Sequence, residues 1–115
     1  MKKPVPLAAV VTQNLMTHED MSLMRATVNA GKICTMIVCL AIAARELGHW
    51  PSQADYADYW KQSLRSAQRE WALFHRAFPD EKSPDRIAQR LFAEMSARLD
   101  DPKTPLAMPA ELAAA

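Results

Sequence analysis

Two glycines in 115 residues, set against eight prolines, constrain this chain more than any other feature. Hairpin turns and β-bulges depend on backbone conformations that glycine adopts without steric cost, so a sheet-rich fold has almost nowhere to turn. Helices remain. Half of the residues are apolar and 23% are charged, the composition of an ordinary globular domain rather than of a disordered chain, a collagen-like repeat or a disulfide scaffold. A chain of this length forms one domain and buries roughly two thirds of its unfolded surface, enough for a core without a metal or disulfide staple.

The net charge is +1, so bulk electrostatics give no strong attraction to polyanions, and any nucleic-acid binding must come from a local patch. Cys34 and Cys39 sit five positions apart in one apolar run. On a helix they point about 140° away from each other and cannot pair within it; they read as small buried hydrophobes in a reducing compartment. The opening MKKPVPLAAVV has two lysines, but its apolar stretch is short, broken by proline and without a clear cleavage site, so no targeting segment is expected. The longest apolar run, Ile33 to Ala44, is short for a bilayer span. A cytoplasmic protein with no membrane partner is the expectation.

Residues 1–16 read as an N-terminal arm marked by Pro4 and Pro6; an extended arm, a lone strand near Val10 and a helix start all fit. Thr17 to Asp20 matches a capping box, which would open a short helix over 18–28. Asn29 then suits an N-cap and Gly48 a stop, with Ile33, Met36, Ile37, Leu40 and Ala44 at helical spacing between them. That helix is apolar nearly all round, the pattern of a central core helix or of one that also serves an interface between copies. Ser52 to Asp55 forms a second capping box. Ser63 caps the next helix, Leu64 to about Phe78, which Pro79 ends. Ser83-Pro84 opens a last helix towards Leu99, with Ile87, Leu91, Phe92, Met95 and Leu99 as its apolar stripe. The expected architecture is an all-α, compact helical bundle spanning 17–99 and containing a helix-turn-helix, with a short N-terminal strand or arm before it and a flexible tail over 100–115.

The informative stretch is a short helix, a turn of about three residues and a longer helix, the layout of a helix-turn-helix whose second helix enters the major groove. At about 100° per residue, Leu64, Ala67, Trp71, Phe74 and Phe78 share one arc, and Arg65, Arg69 and Arg76 lie opposite, flanked by Ser66 and Gln68. Arginine can bond guanine in a bidentate fashion and glutamine can bond adenine likewise. Lys61, Ser63 and the helix N-terminus suit phosphates. The candidate DNA-binding residues are therefore Lys61, Ser63, Arg65, Ser66, Gln68, Arg69 and Arg76. Arginines on the outer face of an amphipathic helix are also common as a merely solvated surface.

The segment PSQADYADYWKQSLRSAQREWALFHRAFP resembles the helix-turn-helix segments of small bacterial and phage DNA-binding regulators, including the sigma-region-like ones. In those, an alanine in the first helix precedes a turn ending in serine and then a helix bearing arginine and glutamine. The resemblance covers about a quarter of the chain and implies that Ala57, Ser63, Arg65, Gln68 and Arg69 are framework or contact residues on duplex DNA. Lys61 in the turn and Glu70 inside the second helix depart from the simplest pattern.

No phosphate loop, nucleophile elbow or zinc-protease motif is present, and His18, His49 and His75 have no ligand-like spacing. No cofactor, metal or catalytic residue is expected. Asp55 and Asp58 suit an acid pair less well than compensation of a helix dipole. The expected function is sequence-specific binding of double-stranded DNA, in transcriptional regulation or control of a mobile element, by a homodimer that doubles the contacts of one unit. The alternative is a non-catalytic adaptor whose arginines meet an acidic partner such as another regulator or RNA polymerase.

Overall fold

The computed structural model describes residues 5–90 and 107–108. In chain order these are β1 (Val5–Pro6), α1 (Leu7–Glu19), α2 (Leu23–Leu47), α3 (Gln53–Tyr59), α4 (Leu64–Ala77), α5 (Asp85–Arg90) and β2 (Ala107–Met108). The fold is an all-α bundle. Its strands are two residues each and pair antiparallel, Val5 with Met108 and Pro6 with Ala107.

From Leu7 onward the N-terminal segment is helix α1 and not an arm. Pro6 stands at the N-cap of α1, and Leu7, Val10, Val11 and Leu15 are buried along one face of that helix. Two adjacent valines and two prolines disguise it, but burial against α2 outweighs the small helix penalty of β-branched residues. Thr17 and His18 therefore lie in the last turn of α1 instead of opening a new helix. Asp20, in the left-handed conformation (φ 52°), ends α1 by donating its N–H to the Leu15 carbonyl.

Nor does the chain break at Asn29. Ser22 caps α2, its Oγ accepting from the Arg25 N–H at 3.3 Å, and the helix runs unbroken for 25 residues to a left-handed Gly48. Asn29 does not cap; its amide reaches the Met21 sulfur at 3.5 Å. Ala26, Ala30, Ile33 and Ile37 carry the buried face straight through that position, which is why Gly31 is tolerated inside the helix. The apolar run is thus part of a helix twice its length. By length and composition alone α2 is long enough to cross a membrane, and 44% of its most apolar window is buried inside the molecule.

The later boundaries follow their local signals. Ser52 and Asp55 form the reciprocal capping box, with N–H to oxygen distances of 3.1 and 3.3 Å. Ser63 caps α4 by accepting from the Ser66 N–H at 3.1 Å, and Ser83 accepts from the Asp85 N–H at 3.2 Å ahead of α5. The expected continuation of α5 to Leu99, with Leu91, Phe92 and Met95, lies outside the described residues. So does the expected tail, apart from Ala107–Met108, which are held in the strand pair.

The core is a single cluster. Phe74 of α4 belongs to one apolar body with Leu7, Val11 and Leu15 of α1 and Ile33, Met36, Ile37 and Leu40 of α2. Helix α4 packs on both α1 and α2, while α3 packs chiefly on α4.

Candidate nucleic-acid interface

Helices α3 and α4 are joined by Trp60 to Ser63, and the backbone of this turn explains how a chain without a glycine there makes it. Lys61 adopts the left-handed conformation at φ 54°. Its N–H donates to the Asp58 carbonyl at 3.2 Å, and the next N–H, of Gln62, reaches back to the Ala57 carbonyl at 2.9 Å. This is the paired closure of a Schellman motif, in which glycine normally fills the position that Lys61 holds. Left-handed geometry costs an ordinary L-residue about 1–2 kcal/mol. Lys61→Gly is therefore expected to fold at least as stably as the native chain, whereas Lys61→Val, branched at Cβ and a sharper misfit in that region, should be less stable than the native chain. Urea unfolding of the two variants checks this.

Three contacts fix the angle of the unit. Tyr56 of α3 lies edge-on to Trp71 of α4 with ring centroids 5.1 Å apart, and Ala57 beside it is buried. Glu70, the residue that departs from the simplest pattern, ties the motif together. It accepts from the Tyr56 hydroxyl at 3.4 Å and from the Gln62 amide at 2.8 Å, linking α3, the turn and α4. Trp60 donates its indole N–H to the Cys39 carbonyl at 3.2 Å, anchoring the end of α3 to α2.

Burial, then the nearby Glu70 carboxylate, push the Tyr56 hydroxyl well above its ordinary range, so it stays a donor to Glu70. The same two causes raise the Cys39 thiol, and burial raises Cys34 to about 11. Both cysteines are protonated thiols at neutral pH, poor nucleophiles and poor metal ligands.

The outer face of α4 carries Arg65, Gln68, Arg69, Ala72 and Arg76, all exposed. Neither Arg65 nor Arg69 has an ion pair or side-chain hydrogen bond among the described residues. Arg76 differs: its Nε donates to Glu19 of α1 at 3.1 Å, which bridges the C-terminal end of α4 to α1 and offsets one positive charge of the row. Ser63 and Ser66 hold each other, the Ser63 hydroxyl donating to Ser66 Oγ at 3.1 Å while accepting from its N–H. Their hydroxyls serve the cap. Lys61 is exposed at the turn. Leu64, placed by periodicity on the core arc, is 48% exposed, since it occupies the first position of α4, where the helix has only begun to meet the core.

One basic residue was invisible to the sequence. Lys32 of α2 and Arg69 line the same shallow depression between α2 and α4, with Glu70 and Leu73. Thirty-seven positions separate Lys32 from Arg69 along the chain, and only the packing of α4 against α2 brings them together. The surface around the turn and the first half of α4 thus presents Lys32, Lys61, Arg65 and Arg69. No family model, curated protein or solved structure matches the chain.

Proposed function

We propose that this chain is a non-catalytic, sequence-specific binder of double-stranded DNA in the cytoplasm, acting in transcriptional regulation or control of a mobile element, with α4 as the recognition helix. One observation carries it. Arg65, Gln68 and Arg69 stand in one exposed cluster just past a tight left-handed turn, and both arginines lack a carboxylate partner among the described residues. In the major groove Arg65 and Arg69 suit guanine edges and Gln68 adenine. Lys61, in the turn, and Lys32, beside Arg69, suit phosphates.

An adaptor that docks an acidic protein would use the same arginines, and the near-neutral charge of the whole chain together with the Arg76–Glu19 pair favours it as a second function. Titrating salt against binding to random duplex DNA separates the two. Release of counterions from a few contacted phosphates makes the association constant fall as roughly the second to fourth power of salt concentration. Absence of duplex binding at low salt, alongside retention of an acidic peptide, would leave the adaptor as the function.

A further inference from the structure

One face of α2 is open to solvent along its first half, from Met24 to Thr35. Met24, Val28, Gly31, Thr35, Val38 and Ile42 follow one another at intervals of four, three, four, three and four residues, the seam spacing of a two-stranded coiled coil. Met24 is 80% and Val28 57% exposed, Gly31 and Thr35 are exposed, and Val38 and Ile42 are half-buried. The core of the domain is built from the opposite side of the helix, through Ala26, Ala30, Ile33, Ile37 and Leu40.

We propose that α2 pairs in parallel with α2 of a second copy of this chain along that stripe. Val28, Thr35 and Ile42 fall on the a positions, where β-branched residues favour two strands, and Met24, Gly31 and Val38 fall on d. Gly31 supplies a second argument. A glycine inside a helix is unfavourable, and among the described residues no other element of the bundle comes within 4 Å of where its Cβ would stand. A neighbouring backbone from outside the chain is what a glycine admits. The stripe is also prepared for a dry contact, because the Thr35 hydroxyl already donates to the Gly31 carbonyl at 2.9 Å.

Charge fits the same arrangement. Arg25 and Lys32 lie on one flank of the seam, and Thr27 and Cys34 on the other. A parallel pair sets each basic flank against the partner's uncharged one. From Met24 to Ile42 the stripe is about 27 Å long. Covering it on two copies removes on the order of 1,000 Å² from water, about the least that a biological interface buries. The pairing stands independently of DNA binding.

Sedimentation equilibrium of the full chain tests it. The native chain is expected to double its mass at micromolar concentration. Val28→Glu with Thr35→Glu, both exposed sites, should give a monomer of unchanged far-UV helicity. In a Cys34→Ser, Cys39→Ser background, Thr35→Cys should cross-link to its own copy on mild oxidation, because parallel pairing sets each a residue against itself. A native chain that stays monomeric, a dimer indifferent to the two glutamates, or a Thr35→Cys chain that stays unlinked overturns the proposal. So does a monomer that floats with neutral phosphatidylcholine vesicles through this stripe, which would assign it to a lipid surface.

Discussion

Replacing Phe74 by alanine is expected to lower the stability of the fold by about 3–5 kcal/mol, a large share of what a domain of this size possesses. Phe74 is completely buried. Its ring stacks on Phe78 at 5.0 Å and meets His75 edge-on at 5.4 Å, and it fills the junction where α4 lies on both α1 and α2. Alanine leaves a cavity that three helices would have to close together, and helices that are pinned elsewhere relax only partly. Leu64, on the same helix and on the same apolar arc by periodicity, is the internal control. Being half in water, it should cost well under the Phe74 loss when cut to alanine. Equilibrium urea unfolding of both variants measures the difference, and equal losses would mean that α4 is not seated as described.

What could be foreseen from the chain divides by the range of the force that decides it. Ser52, Ser63, Gly48 and Pro79 act on backbone groups within about four residues, so the boundaries of α3 and α4 and the end of α2 were readable from local chemistry. The N-terminal third was misread for the same reason. Thr17 to Asp20 imitates a helix start and Asn29 imitates a cap, whereas the outcome was decided by Leu7, Val10, Val11 and Leu15 finding α2. The pairing of Val5–Pro6 with Ala107–Met108 spans a hundred residues and has no local signature.

The candidate interface divides in the same way. The row of Arg65, Arg69 and Arg76 follows from helical period alone. That Arg76 is held by Glu19, 57 positions away, depends on tertiary packing, as does the approach of Lys32 to Arg69. Glu70 is the instructive case. In sequence it looks like an intrusion of negative charge into a recognition helix, and in the structure it faces Tyr56 and Gln62 and braces the turn.

These placements rank the arginines, and the ranking is the second large expected effect. Arg65→Ala and Arg69→Ala should each weaken specific duplex binding by about 1–3 kcal/mol and relax preference at the base contacted. Combined, they should remove about 2–6 kcal/mol if the two contacts are independent, enough to bring specific binding down towards the non-specific level. Arg76→Ala, although in the same exposed row, should do less, because Glu19 lies 3.1 Å from its guanidinium and offsets its charge. Lys61→Gly completes the set. It preserves the turn while deleting the proposed phosphate contact, so it should weaken all duplexes alike and lower the salt exponent by about one. Fluorescence anisotropy against a selected duplex and a scrambled one, at two salt concentrations, reads all four effects. If the Arg65, Arg69 double variant binds the selected duplex as tightly as the native chain, α4 is not the recognition helix. If Arg76→Ala is as damaging as Arg65→Ala, the Glu19 pair opens on DNA and the row is read along its whole length.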